Sequence, residues 1–533
     1  MIHLISPWKH SHIGNLVEEA LARSFSKSQV RKMSFSLFQD MVEGEENPRN
    51  VFVMIAPMEE WGAAIGRAIR KKKIKVLLFG ALPPCLAYDL GVSLLQIPDQ
   101  IHELAKCEST PSNEFRKSPL EIRYRRPLGR VISPIMERPF VRFDFTDEWN
   151  NLGFGAIRVD GSPWSLQQMA LLKSSVTSPL ADVVLDEKTV SLYSVCWDFE
   201  KASLLWFNRM VGPIDSQEWR LVEEFVSSYR FRQTPCLPVL SEVPFGYEGG
   251  ATMRLDCDED ISSARFLFQY YQKMDVPFSL AVHTALLEES SHHPFLRDVL
   301  AAGGTLMSHS ASHPKDWGGS YESAYSEAAK SRKALFSATG EWVKYAVSPF
   351  HQTPGYALNA LSDAGYSGCI GGVINSDPEF MLARGGEVLG VGEGFVGHSQ
   401  QCMLHGDCLL KDPDPMAVYK ESFEIALRGR ALFGFLDHPF SPRYQYGWKD
   451  EETRLESHKS LLDYILGRGK VAFLSEGQAL NFIREKGRID IQKTPSGFCF
   501  DTSTMMSLPS PLIVAAEWGG QLYPIQNGLE ISC

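Results

Sequence analysis

The chain has 533 residues, of which 44% are hydrophobic and 22% are charged, and this composition is ordinary for a folded protein of several domains. Its formal net charge of −11 and its lack of long basic runs argue against nucleic acid or an anionic membrane as the main partner. No stretch approaches the ~20 unbroken apolar residues that a membrane span requires.

The start of the chain and the cysteines bear on location. The sequence before Pro7 lacks a basic segment followed by a long apolar one, so no secretory signal is visible. The ten cysteines are scattered and form no CxxC pair, which favours reduced thiols over a disulfide framework. We therefore expect a cytoplasmic protein.

Strand and helix signals alternate through residues 1–126. Short apolar runs at 2–5, 50–55 and 74–79 predict strands, and amphipathic stretches at 14–23 and 61–71 predict the helices between them. This alternation indicates an N-terminal α/β domain with a doubly wound parallel sheet. It contains no phosphate-binding glycine pattern, so its ligand, if any, cannot be read.

Three further regions follow. Residues 127–247 show short strand signals and one helix signal, which predicts a mixed α+β middle domain that ends in a linker rich in proline and glycine. Repeated βα signals over residues 248–487 predict a (β/α) barrel, complete or irregular. The remainder, residues 488–533, reads as a small β appendage.

Two aspartates stand at the end of the first predicted barrel strand, in Asp256-Cys257-Asp258. The period of a strand places both carboxylates on one side and Cys257 on the other. In a barrel, catalytic residues collect at such carboxyl ends. The alternative is that the acidic residues 258–260 only cap the helix that follows.

Two histidines four residues apart follow a later strand, in His309-Ser310-Ala311-Ser312-His313. At this spacing both imidazoles can lie on one side of a turn and reach one cation. Taken alone, the pair is more often structural. Its position between the two aspartates and His438, all at predicted strand ends, favours a metal site with open coordination positions.

His438 ends the apolar strand that precedes Pro439. It is either a packed core histidine or, in a cleft opposite a metal, the side chain best suited to deliver a proton near neutral pH.

With these motifs in order, residues 251–485 resemble the NodB-homology polysaccharide deacetylases, the carbohydrate esterase family 4 type. The aspartate pair matches in the spaced form that some branches use, and His309 to His313 matches the H(S/T)xxH motif in full. The strand ending in Leu436-Asp437-His438 matches the fifth motif. In the third motif Pro349 is kept, but Val347 stands where the family has arginine, and His351 stands where it has glycine. The fourth motif has no clear match, and Asp377 is the nearest candidate.

The resemblance implies a deformed (β/α) barrel in which Asp258, His309 and His313 hold a divalent metal, most often zinc. It implies that Asp256 is the general base and that His438 protonates the leaving amine. The segment Pro349, Phe350 and His351 would line the substrate site, with the Phe350 N–H as a candidate oxyanion donor. In the family the third-motif arginine orients the catalytic aspartate, so Val347 leaves that support to another residue.

The function expected from these residues is a metal-dependent amide hydrolase that removes an N-acetyl or other N-acyl group from a sugar. A cytoplasmic location favours an intracellular sugar or a cell-surface polysaccharide precursor, such as an O-antigen intermediate. Two alternatives stay open: a hydrolase of a non-sugar C–N bond on the same fold, and a catalytically weakened carbohydrate-binding or scaffold protein. The sugar, the acyl group, the oligomeric state and the role of residues 1–247 cannot be read from the sequence.

Overall fold

A computed structural model describes residues 1–44, 49–106, 120–131, 137–139, 159, 161–163, 165–173, 178–213, 218–371, 384–399, 402–409, 413–441, 444–506, 508–509 and 511–532. Its helices are α1 (Ser11–Phe25), α2 (Phe35–Glu43), α3 (Gly62–Lys71), α4 (Pro84–Asp89), α5 (Asp99–Lys106), α6 (Trp219–Ser227), α7 (Ala264–Lys273), α8 (His293–Ala301), α9 (Tyr321–Thr339), α10 (Gly355–Asp363), α11 (Ala417–Gly429), α12 (Glu451–Gly467) and α13 (Glu476–Lys486).

The strands in the same part of the chain are β1 (Ile2–Ile5), β2 (Val30–Lys32), β3 (Val51–Ile55), β4 (Lys75–Phe79), β5 (Val92–Leu95), β6 (Leu120–Tyr124), β7 (Glu137–Pro139), β8 (Met169–Leu172), β9 (Ala181–Leu185), β10 (Lys188–Asp198), β11 (Ser203–Phe207), β12 (Val239–Leu240), β13 (Gly249–Cys257), β14 (Ser279–Val282), β15 (Thr305–Ser308), β16 (Tyr345–Val347), β17 (Gly368–Gly371), β18 (Gly386–Glu387), β19 (Val396–Ser399), β20 (Cys402–Met403), β21 (Leu432–Asp437), β22 (Val471–Leu474), β23 (Asp490–Lys493), β24 (Gly497–Asp501), β25 (Ala515–Trp518), β26 (Gln521–Pro524) and β27 (Glu530–Ser532).

The N-terminal part is built on one sheet of nine strands in the order β2-β1-β3-β4-β11-β10-β9-β6-β7. The first five strands are parallel, and β10, β9, β6 and β7 continue the sheet in antiparallel pairs. Apolar side chains alternate between its faces, one packed against α1 and α6 and the other against α2 and α3. The expected α/β character with a parallel sheet is therefore confirmed.

The predicted boundary at residue 126 lies inside this sheet. Strand β11 pairs with β4, and β9 pairs with β6, so backbone hydrogen bonds join residues 1–126 to the segment expected to form a separate middle domain. Long-range pairing of this kind leaves no local sequence signal.

Residues 249–474 form a second, largely parallel sheet in the order β18-β19-β17-β16-β15-β14-β13-β21-β20, with β22 also paired to β13. Along β13 the side chains of Met253, Leu255 and Cys257 pack among residues of the outer helices, while Arg254 and Asp256 alternate with them and face inward. This arrangement of parallel strands inside helices fits the expected irregular (β/α) barrel.

Helix α13 closes the amino ends of the barrel strands. The N–H of Glu476 donates to Ser279 Oγ at 3.0 Å, and the N–H of Gly477 donates to Thr305 Oγ1 at 3.3 Å. From the same helix, Lys486 Nζ donates to the carbonyl of Arg23 on α1 at 2.7 Å. The N-terminal sheet therefore adjoins the end of the barrel opposite the strand ends that carry Asp256.

The C-terminal residues form two small antiparallel sheets, β23-β24-β27 and β12-β25-β26. Strand β12 comes from the predicted linker, so the second sheet ties the β appendage to the segment before the barrel. Among the residues described, no helix combines the length and apolar character needed to cross a membrane.

Candidate active site

The aspartates lie where the strand period predicts. Asp256 belongs to β13 and is 2% exposed, while Asp258 follows the strand and its side chain is 18% exposed. Both carboxylates line one cavity at the carboxyl ends of the barrel strands. Of the acidic residues 258–260, Asp260 is bonded locally: its carboxylate accepts the N–H of Ser262 at 2.8 Å, in the turn before α7.

The loop that carries His309 and His313 is not helical. Ser310 and His313 have φ angles of 64° and 53°, and the N–H of His313 donates to Ser310 Oγ at 2.9 Å. Glu327 on α9 holds the loop from behind, since its carboxylate accepts the N–H groups of Ala311 and Ser312 at 2.9 and 2.7 Å. The spacing of four residues brings the imidazoles together, but a strained loop rather than a helical turn does so.

Three ligand atoms converge at this point. Asp258 Oδ1 lies 3.2 Å from His309 Nε2 and 3.4 Å from His313 Nε2, and the two nitrogens are 3.1 Å apart. Ligand atoms about 2.0–2.2 Å from a tetrahedral zinc stand roughly 3.3–3.6 Å apart, so this triangle has the size of one face of such a site. The donor set of one carboxylate and two imidazoles also suits a divalent transition metal.

The surroundings of the ligands fix their orientation. His309 Nδ1 lies 3.1 Å from the carbonyl of Val347, which can only accept, so Nδ1 carries a proton and Nε2 is the nitrogen that faces the cavity. Tyr446 donates its hydroxyl to Asp258 Oδ2 at 3.2 Å. Such supporting contacts hold the three predicted ligands in place.

His438 stands on the other side of Asp258, with its Nε2 3.5 Å from Oδ2. Its ring stacks on Tyr446 with centroids 4.0 Å apart and an interplanar angle of 7°. Its carbonyl accepts from Arg454 Nη1 at 2.9 Å. The preceding residue, Asp437, is fully buried and accepts from His458 Nε2 at 2.9 Å. The predicted proton donor is thus anchored through its backbone.

The third-motif segment lines the same cavity. Pro349, Phe350 and His351 form a single 3-10 turn in which Phe350 and His351 have φ angles of 52° and 57°. The ring of Phe350 lies against His313, with centroids 4.7 Å apart. Val347 is fully buried and contributes its carbonyl to His309. Asp377 lies outside the residues that the structure describes.

The cavity has a volume of about 480 Å³, a size that accommodates a small ligand. Its lining is mainly carboxylates, histidines and serines with an aromatic rim: Asp256, Asp258, Glu259, His283, His309, Ser312, His313, Ser348, Phe350, His351, His438, Tyr444 and Tyr446. Of the site residues predicted from the sequence, seven line this cavity and Pro349 adjoins it in the turn before Phe350: Asp256, Asp258, His309, His313, Phe350, His351 and His438.

Charge and burial set the ionisation of these groups. Burial alone would raise the pKa of Asp258, but its hydrogen bond to His309 and the neighbouring histidines hold that pKa well below its usual range. Burial lowers the pKa of His313 to about 4, and its neighbour His309 adds to the effect. Burial likewise lowers the pKa of His351 to about 4. Burial alone would lower the pKa of His309, but Asp256 and Asp258 raise it above its usual value. A metal ion requires neutral imidazole ligands, so binding one would release the proton of His309.

Four residues at the site were not predicted from the sequence. Tyr446 and Glu327 contact it from later in the chain, and Arg254 lies directly behind Asp256. His283 follows β14; its Nδ1 lies 3.0 Å from the carbonyl of Asp258, and within the described chain its Nε2 is buried without a hydrogen-bond partner. Only Arg254 had a signal, a charged residue two positions before an aspartate in an apolar strand.

Residues 262–369 match the family model for polysaccharide deacetylases. The chain therefore contains a polysaccharide deacetylase module. The match includes His309, His313 and the Pro349 segment, and it stops short of Asp256, Asp258 and His438. It supports a hydrolase of the deacetylase type for this part of the chain.

Solved structures of low identity are similar to part of this chain. A family 4 carbohydrate esterase from Streptomyces lividans, in complex with acetate, is 12% identical, with a TM-score of 0.28, over 43% of this chain and 92% of its own. A family 4 acetyl xylan esterase from Clostridium thermocellum, with a cobalt ion, is 12% identical over 43% and 89%, with a TM-score of 0.29. The PuuE allantoinase is 11% identical over 45% and 92%, with a TM-score of 0.35. No curated protein matches.

Proposed function

We propose that the chain is a metal-dependent amide hydrolase that removes an N-acetyl or other N-acyl group from a sugar or a glycan precursor. One observation carries the proposal. The ligand atoms of Asp258, His309 and His313 stand 3.1–3.4 Å apart in a cavity that also holds Asp256 and His438. A three-residue metal face beside an acid and a base is an arrangement for hydrolysis.

Asp258, His309 and His313 would hold the metal, and a nitrogen-rich set of three ligands favours zinc. When bound, such an ion polarises an acyl carbonyl and acidifies water. The lowered pKa values of Asp258 and His313 keep that carboxylate ionised and that imidazole neutral, whereas the raised pKa of His309 means that metal binding would release its proton.

Asp256 is suited to accept the proton of the attacking water. Burial alone would raise its pKa, but the charge and hydrogen bonds of Arg254, together with His309 and His438, lower it, so the carboxylate is ionised at neutral pH. It lines the cavity next to Asp258 and contributes no atom to the metal triangle. A base in this position remains free for proton transfer.

His438 is suited to protonate the departing nitrogen. An amine is a poor leaving group until it is protonated, so amide hydrolysis needs an acid on the leaving-group side. The ring is held by Tyr446 and turns its Nε2 toward Asp258. The two proton-transfer groups thus flank the ligand triangle.

The cavity lining supports a sugar over a non-sugar amide. An apolar, aromatic wall would favour a cyclic amide or imide, whereas here five histidines, three carboxylates and two serines accompany the three aromatic residues. Sugar hydroxyls need such hydrogen-bonding partners. A cytoplasmic location and a role in O-antigen synthesis stay predictions from the sequence.

The test measures metal content and acyl release together. Purified protein should bind one ion per chain and release acetate or formate from a panel of N-acyl sugars and sugar nucleotides. A chelator or His309→Ala should abolish the release, while His12→Ala, an exposed histidine of the N-terminal part, should not. Metal-replete protein that is inactive on the whole panel would contradict the proposal, and protein without stoichiometric metal would favour the binding or scaffold alternative.

A further inference from the structure

Arg254 lies directly behind the aspartate proposed as the base. Its Nε donates to Asp256 Oδ1 at 2.6 Å, and its Nη2 donates to Oδ2 at 3.1 Å. The guanidinium and the carboxylate therefore meet in a two-point fork, which fixes the plane of the carboxylate as well as its position.

The strand itself creates this pairing. Arg254 and Asp256 are two residues apart on β13, so both side chains face the barrel interior, whereas Leu255 between them packs outward. Both side chains of the pair are nearly inaccessible, at 0% and 2%. Burying two charges is costly unless their geometry is good, and here each carboxylate oxygen receives its own donor.

The third-motif position does not give this support. Val347, across the site, is apolar, and its carbonyl is directed to His309. Among the described residues, Arg254 is the only arginine or lysine that forms an ion pair with the Asp256 carboxylate. A base held at both oxygens keeps one orientation toward the cavity, and small errors in the position of a catalytic group cost large factors in rate.

We propose that Arg254 is the positioning residue for the base of this site, holding the Asp256 carboxylate in the orientation from which it takes a proton. This role rests on the proposed function, in which Asp256 is the base. Arg254, a neighbour of the base on strand β13, gives the support that the third-motif segment does not provide.

The test compares Arg254→Met, Arg254→Lys and Arg384→Met. Arg384 is the matched control, because it is also buried in a two-point pair, with Glu223 at 3.0 and 2.9 Å, away from the cavity. Arg254→Met should lower kcat at least 100-fold, with KM and metal content within threefold of wild type. Arg254→Lys, which keeps the charge and loses the fork, should recover part of kcat. Arg384→Met should lose stability and keep kcat.

A crystal structure of Arg254→Met supplies the readout that does not depend on activity. The Asp256 carboxylate should be rotated or disordered, while Asp258, His309 and His313 stay in place. An unchanged carboxylate, or a kcat within threefold of wild type, overturns the role of Arg254. If Arg254→Met does not fold, Arg254→Lys decides by the same two measurements. If wild type has no activity on any N-acyl sugar, the proposed function fails, while the crystallographic comparison still tests Arg254.

Discussion

Substituting Asp437 should lower the stability of the barrel domain and also lower kcat. Asp437 is completely buried and accepts from Trp448 Nε1 at 3.2 Å, from Arg454 Nη1 at 3.4 Å and from His458 Nε2 at 2.9 Å. Asp437→Asn keeps the shape of the side chain but removes its charge, which leaves the buried guanidinium of Arg454 without this partner. Breaking a buried pair on one side costs roughly 3–5 kcal/mol.

For a domain of about 150–250 residues, such as the barrel, this loss of unfolding free energy corresponds to a fall in the unfolding midpoint of roughly 6–20 °C. Arg454 also donates to the carbonyl of His438, so kcat should fall as the proton donor loses its anchor. Thermal unfolding followed by fluorescence measures the first effect, and acyl release measures the second.

Glu451→Gln is the matched control for Asp437→Asn. Glu451 pairs with the same guanidinium at 2.6 Å, but its side chain is 28% exposed, and partly solvated pairs contribute about 0–1 kcal/mol. A midpoint for Asp437→Asn within about 2 °C of wild type, or a larger loss for Glu451→Gln, would refute the reasoning that burial makes Asp437 the stronger partner.

Three further substitutions test separate contacts. Glu327→Ala removes the carboxylate that accepts the loop N–H groups between His309 and His313, and it should weaken metal affinity about 10–100-fold in a metal titration. Glu322→Ala, at an exposed position on the same helix, should leave the affinity unchanged. Equal affinities of the two variants would contradict the role of Glu327 in holding the metal ligands. His283→Ala removes a buried acceptor from the cavity wall and should raise KM about fivefold with kcat unchanged, since a lost hydrogen bond is worth about 1 kcal/mol. An unaltered KM would contradict this contact. Burial alone would raise the pKa of Glu223, but Arg384, Arg220 and Ser24 together lower it from 4.5 to about 2. The stability from this lowered pKa is present above pH 4.5 and is lost as the pH falls toward 2. Unfolding midpoints should therefore drop more steeply with acid in wild type than in Glu223→Gln, and parallel curves would contradict the assignment.

The candidate site was largely predictable because its signals are local. Asp256 and Asp258 are separated by one strand period, and His309 and His313 lie close enough in sequence that almost any turn brings their rings together. His438 could be added because the carboxyl ends of parallel strands meet at one edge. These features depend on secondary structure and chain order alone.

The supporting residues could not be found in the same way. Tyr446 reaches Asp258 across 188 positions, and the position of Glu327 depends on where helix α9 begins and on which face it buries. The strand period predicts that Arg254 and Asp256 lie on the same face of β13, but it does not predict which carboxylate a lone arginine in an apolar strand pairs with. Tertiary packing decides all three contacts.

The boundary between the first two predicted domains shows the same limit at a larger scale. The side chain of Trp206 donates its Nε1 to the carbonyl of Gly80 at 2.7 Å, across the predicted boundary, and β11 pairs in register with β4. Strand signals in residues 181–207 were visible, but their partners were not, because pairing is set by distant segments of the chain. The division of residues 1–247 into two domains therefore remains a prediction.

The most direct measurement is the coordination shell of the metal, by elemental analysis and a crystal structure of the protein purified without chelator. We expect one ion per chain, held by Asp258, His309 and His313, with the Asp256 carboxylate and His438 Nε2 beside it and outside its ligand set. A chain with no bound ion, or an ion held by other residues, would contradict the proposed metal-dependent hydrolysis.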